Sequence, residues 1–95
     1  MLVRIVLMTF KPDNIGDFLA LFHQTKDQIR NFEGCLHLEL LKDYYKDNVY
    51  CTYSHWIDNK ALENYRNSNL FREVWRKTKI HFSERPGTIS LYKEG

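Results

Sequence analysis

From Leu2 to Phe10 nearly every position is apolar on both parities, with Arg4 and Thr9 the exceptions. A strand covered on both faces has this pattern, so the stretch is predicted to be a central β-strand. Lys11-Pro12-Asp13-Asn14 breaks it, and Asp13 or Asn14 can cap the helix that follows. Ile15, Phe18, Leu19, Phe22, Ile29 and Phe32 then recur at helical spacing, with Asp17, Gln24, Asp27 and Arg30 on the opposite side. This helix is expected to run to about Asn31 and to stop near Gly34.

Leu36 to Lys42 and Val49 to Trp56 both alternate, and the polar segment Tyr44–Asn48 between them suits a hairpin loop. With that loop, Asp43 opposes Val49, and Leu41–Cys51, Glu39–Tyr53 and His37–His55 follow as pairs. Opposed residues share a face. One face is therefore expected to carry His37, Glu39, Leu41, Cys51, Tyr53 and His55. The other carries Leu36, Leu38 and Leu40 with Tyr50, Thr52, Ser54 and Trp56, and belongs under the helices. A slip of one residue would exchange the two faces.

Asp58 is a plausible cap for a second helical region, which reads as two pieces because Arg66-Asn67-Ser68-Asn69 is poor helix material and Ser68 can cap again. Leu70, Phe71, Val74, Trp75 and Thr78 form its apolar stripe. Pro86-Gly87 ends it, and Thr88 to Tyr92 reads as a last strand. The order β-α-β-β-α-β, without linker or repeat, predicts one α+β domain over residues 1–95. Its fold is ferredoxin-like, a four-stranded antiparallel sheet with two helices on one face. The second sheet face is left to something else, and a second copy of the same sheet is the simplest cover.

Composition narrows the classes. The chain of 95 residues is an ordinary globular mixture with a formal charge of +2, too small to argue for nucleic acid. Arg66, Arg72, Arg76, Lys77 and Lys79 fit the wet face of a helix. Six tyrosines within 15% aromatic residues lean toward a semi-polar cavity or an oligomer. Cys35 and Cys51 fall far apart in the hairpin register and should not bond to each other. Two such cysteines fit a reducing compartment. The N-terminus alternates and lacks a cleavage site, and no run reaches membrane-spanning length, so a cytoplasmic protein without membrane association is expected.

The stretches FEGCLHLELLKD (32–43), YSHWIDNKALENY (53–65) and NSNLFREVW (67–75) carry a resemblance. They are similar to the antibiotic biosynthesis monooxygenase (ABM) family of dimeric α+β barrels. Shared features are a glycine-cysteine turn entering the second strand, a tryptophan closing the third, and a serine-x-x-phenylalanine break in the second helical region. The resemblance implies a homodimer whose sheets pack face to face, and an apolar cavity in each protomer between sheet and helices. It implies a tryptophan, here Trp56, on the cavity wall. Characterised members include oxygenases that act on polycyclic phenols or quinols without metal or flavin, and a branch that degrades haem. That branch uses a histidine on the second helix as iron ligand, where Trp75 or a neighbour stands here. It also carries an asparagine in the first strand, which this chain lacks.

A cofactor-independent monooxygenase needs a dry pocket, an electron-rich phenolic or quinol-type aromatic substrate, and polar groups that steer its proton and oxyanion. Trp56, Tyr50, Tyr65 and Trp75 could build the walls of the substrate pocket, with Thr52 and Ser54 as polar contacts. No residue is assigned as catalytic base, and neither cofactor nor metal is expected. His37, Glu39, Tyr53 and His55 read as a polar cluster on the dimer face. Imidazoles with a carboxylate can ligate zinc, but a hairpin spacing is not a ligand motif. His23 lies beside the stripe of the first helix, and His81 follows the last one, where an imidazolium suits the dipole. Cys35 reads as a packing residue.

Two other functions of this topology are excluded. An RNA-recognition strand would need a glycine and basic residues that Val49–Trp56 lacks, and an acylphosphatase-like anion loop is absent after the first strand. The remaining alternative is a non-catalytic dimeric barrel that binds a small aromatic or apolar ligand.

Overall fold

A computed structural model describes all residues from Met1 to Gly95. Four strands, β1 (Leu2–Thr9), β2 (Cys35–Lys42), β3 (Val49–Trp56) and β4 (Gly87–Tyr92), form one antiparallel sheet in the order β2-β3-β1-β4. Three helices, α1 (Ile15–Arg30), α2 (Asn59–Arg66) and α3 (Asn69–Lys79), lie on one side of it. This is the ferredoxin-like arrangement, with the expected second helix divided in two.

The division follows from capping. Asp58 Oδ1 accepts the Ala61 N–H at 2.8 Å and starts α2. Ser68 Oγ accepts the Phe71 N–H at 3.1 Å to start α3, and donates to the Tyr65 carbonyl at the end of α2. One hydroxyl thus satisfies an orphan donor and an orphan acceptor, which lets the chain turn without unpaired polar groups.

At the start of α1 the structure departs from expectation. Pro12–Asn14 forms a 3-10 turn, and neither Asp13 nor Asn14 caps α1 through its side chain. The Asn14 amide instead contacts His81 Nδ1 at 2.9 Å, joining the two ends of the helical layer. His81 therefore meets a neutral amide rather than standing free at the end of α3.

The hairpin register is the expected one: Leu41 pairs with Cys51, Glu39 with Tyr53 and His37 with His55. The pattern breaks at its far end. A bulge between Cys35 and His37 pairs Cys35 with Trp56 and leaves Leu36 unpaired and 56% exposed. Leu36 is thereby lost from the leucine face, and Cys35 packs against the core in its place. The turn before the bulge fixes this. Gly34 has φ 88°, a conformation costly to any other residue, and its carbonyl accepts the Ile57 N–H at 2.9 Å. Both cysteines are free thiols.

The core lies between sheet and helices. Phe10 and Trp56 are its two fully buried large side chains. Phe10 stacks on Phe18 of α1 at 4.1 Å between ring centroids, and Ile29 and Phe22 bury the rest of that helix face. Each such side chain contributes roughly 1.5–3 kcal/mol by leaving water. The opposite sheet face has no helix. It displays Val3, Ile5 and Leu7 of β1 between Tyr53 of β3 and Ile89 and Leu91 of β4. Leu7, Leu41, Ile89 and Leu91 on it are 43–49% exposed.

Candidate functional site

Alternation along three strands brings one set of side chains under the helices. Arg4, Val6 and Met8 of β1 lie across from Ser54, Thr52 and Tyr50 of β3, and Leu38 of β2 lies across from Ser54 on the other side. The helices do not fill the space above this set. A cavity of about 240 Å³ remains, floored by β1, β2 and β3, with walls from all three helices. Its lining is mostly apolar, including Phe18, Phe22 and Ile29 of α1, Leu62 of α2, and Phe71 and Val74 of α3.

Aromatic rings brace one side. Trp56 stacks on Tyr65 at 5.0 Å, Tyr65 meets Phe71 edge-on at 5.2 Å, and Phe71 stacks on Trp75 at 5.8 Å with the planes 11° apart. This run crosses the break between α2 and α3, so the capping at Ser68 sets the curvature of the wall. Phe32 packs behind, edge-on to both Trp56 and Tyr65.

Of the six residues read from the sequence as pocket residues, Trp56, Thr52, Ser54, Tyr65 and Trp75 line this cavity. Tyr50 does not. It shares their face but lies one step further along β3, where its ring packs against Phe10 and Phe18 at 6.1 and 5.9 Å. It belongs to the core, because Phe10 and, from α1, Phe18 close over its ring. The four residues expected on the other face do assemble. His37 Nε2 is 3.4 Å from Glu39 Oε1, the His37 and His55 rings are 5.1 Å apart, and Tyr53 is edge-on to His55 at 4.9 Å. His55 Nε2 is buried without a hydrogen-bond partner. This cluster lies across the sheet from the cavity and contributes nothing to it. His23 is exposed, near Lys26, and also lies outside the lining.

The polar groups of the cavity divide by occupation. Thr25 and Thr78 donate to carbonyls of their own helices, at Leu21 (2.9 Å) and Val74 (2.7 Å). Ser54 Oγ accepts the Trp56 indole N–H at 3.1 Å and donates to the Arg4 carbonyl at 3.4 Å. The Tyr65 phenol is pushed well above its ordinary range, chiefly by burial and secondarily by Cys35 nearby, so it is a neutral donor. Burial likewise raises the Cys35 thiol, which makes it a poor nucleophile.

The two charged lining residues, Arg4 and Arg66, were missed from the sequence. A usable signal existed for Arg4, which shares parity with Val6 and Met8 in an otherwise apolar strand. No histidine, aspartate or glutamate lines the cavity, and no three His, Cys, Asp or Glu side chains converge anywhere in the chain as metal ligands would.

Comparison with known proteins agrees with this geometry. The profile of the antibiotic biosynthesis monooxygenase family matches residues 1–77. Among solved structures, one described as an antibiotic biosynthesis monooxygenase superposes with TM-score 0.93 at 20% identity, covering all of both chains. A conserved protein from Methanosarcina mazei Go1 superposes with TM-score 0.92 at 17% identity, over 99% of this chain and 94% of that one. Rv0793 from Mycobacterium tuberculosis gives 0.90 at 15% identity, over 99% and 95%. At these identities the likeness establishes the fold. No curated protein matches the sequence.

Proposed function

Because the chain belongs to the antibiotic biosynthesis monooxygenase family, we propose that it is a cofactor-independent monooxygenase whose phenolic or quinol-type aromatic substrate binds in the cavity between sheet and helices. The observation that supports the reading is the cavity itself: about 240 Å³, apolar, with an aromatic wall from Trp56 to Trp75 and a few hydroxyls. Flat rings suit such a wall, and fixed polar groups suit orientation of a ring hydroxyl.

In this reaction the substrate is the reductant. Written as RH2 + O2 → RO + H2O, it supplies all four electrons; one oxygen atom enters the ring and the other leaves as water. The protein holds the ring, excludes bulk water from the radical pair formed when the phenolate passes an electron to oxygen, and offers the Tyr65 and Thr52 hydroxyls to oxygen atoms of the substrate. The phenolic proton goes to water at the cavity mouth beside the exposed Arg66, since no wall residue is a base.

That missing base favours a second reading, a barrel of the same build that binds an aromatic ligand without turnover. Oxygen uptake by the purified chain over hydroquinones and polycyclic phenols separates the two. Uptake that needs the protein and falls in Trp56→Phe supports the oxygenase; ligand binding without uptake supports the binding protein. Phenylalanine is the right probe because alanine would empty a nearly fully buried site, at a cost of about 3–5 kcal/mol, and would confuse unfolding with lost chemistry.

A further inference from the structure

Arg4 is the anomaly of the cavity floor. It stands between Leu2 and Val6 on the helix side of the central strand, partly buried, where an aliphatic residue would pack. One of its donors is used: Nη1 reaches Ser90 Oγ of β4 at 2.8 Å, a neutral partner. It takes part in none of the chain's ion pairs. Glu63, the one acid whose charge acts on it, is bonded to Arg66 at 3.0 Å. Burial and the like charge of Arg66 both work against the Arg4 cation. Two guanidiniums thus line the cavity while the one nearby carboxylate, Glu63, lies outside the lining and pairs with Arg66, which leaves a net charge of +1 against an aromatic wall.

Building on the proposed aromatic pocket, we propose that Arg4, flanked by Arg66, forms a carboxylate subsite, so that the natural ligand is an aromatic acid whose ring lies against Trp56 and Tyr65. The geometry of charge selects the group. A guanidinium offers five N–H donors in a planar fork that matches the two oxygens of a carboxylate, and most of the Arg4 fork is free. A phenol is largely neutral at pH 7 and would leave the cation uncompensated. A phosphate monoester, with about two negative charges at pH 7, would exceed the one uncompensated positive charge. Ser90 fixes the fork from behind, and Arg4 lies directly across from Ser54, whose hydroxyl anchors Trp56. The charge site and the ring site are therefore neighbours on one sheet face.

The test is calorimetric titration of the full chain with two probes that share a ring system, 2-naphthol and 6-hydroxy-2-naphthoate, at pH 7 and low ionic strength. The naphthoate is expected to bind about tenfold tighter or more, as charge-assisted hydrogen bonds dictate. Added salt should narrow the gap. In Arg4→Met the order should reverse, because a carboxylate gives up hydration that an apolar floor does not replace. Arg4→Lys should keep part of the preference, and Arg66→Gln, at an exposed position where folding is not at stake, should weaken it. Equal affinities in the wild-type protein, or a preference that survives Arg4→Met, overturn the subsite while leaving the aromatic pocket standing. If neither probe binds, the pocket reading fails and the subsite fails with it.

Discussion

The indole N–H of Trp56 donates to the hydroxyl of Ser54, two residues back along β3, at 3.1 Å. Both side chains point under the helices because their separation is the strand repeat, and both are buried. Ser54 thus does for Trp56 what water would do outside the core. The same serine is opposite Arg4 on β1, so ring wall and charge are tied to one residue.

Ser54→Ala is expected to destabilise the chain by about 1–3 kcal/mol, since it leaves a buried indole donor unpaired. In a domain of this size that lowers the melting temperature by about 4–8 °C per kcal/mol. In a Trp56→Phe background the same change should cost much less, because there is no donor left to orphan. Thermal denaturation of the four proteins of this cycle checks it; additive losses would mean that the bond contributes nothing.

Gly34→Ala should be more damaging. The new Cβ would overlap the Ala61 side chain, and φ 88° disfavours any L residue. A loss above about 2 kcal/mol in urea unfolding is expected. Ala61→Gly should restore the steric part of that loss and leave the backbone part.

Tyr65 ties stability to alkaline pH. Its folded pKa is raised above the ordinary 10.0, so above that value the unfolded chain loses a proton that the folded chain keeps. Fewer protons on the unfolded state make stability fall as pH rises. The contribution is whole below pH 10 and is lost progressively above it. Tyr65→Phe should flatten the slope of unfolding free energy between pH 9.5 and 11; an unchanged slope would show that Tyr65 ionises as freely in the folded protein. The two raised thiols act in the same direction in both proteins and cancel from the comparison.

The open sheet face carries a prediction about assembly. Leu7, Leu41, Ile89 and Leu91 expose an apolar surface of a kind that soluble single chains seldom leave bare, and a second copy of the sheet is the proposed cover. Light scattering after gel filtration should give the mass of two chains for the wild type and of one chain for Leu7→Lys. Because Leu7 is 49% exposed, the charge perturbs the interface rather than the protomer core. A wild-type mass of one chain would reject the self-interface.

Much of the fold was legible because it rests on neighbours along the chain. The 3.6-residue recurrence from Phe18 to Ile29, the capping at Asp58 and Ser68, and the Leu41–Cys51 register each depend on residues a few positions apart. The misreadings share a different cause. Leu36 followed the alternation of β2, but the Gly34 turn bonds to Ile57 beyond the end of β3 and forces a bulge that local pattern does not encode. Asn14 could cap α1, yet His81, distant in sequence, offers the better-placed partner. Tyr50 has the right parity for the pocket, and only the approach of Phe18 decides that it is core.

By itself the sequence determined the element order, the strand faces and the placing of Trp56 under the helices, because periodicity and capping are short-range and strongly patterned. The tertiary structure alone decided where the helices fail to fill the space above the sheet, and so which side chains meet a cavity. It also brought β4 beside β1, which sets Ser90 against Arg4 across 86 residues of chain. Whether a lone arginine in a strand is strain or a site depends on groups that pattern cannot bring together. Here packing surrounds it with an aromatic wall, one neutral anchor and a second cation, and no carboxylate of its own.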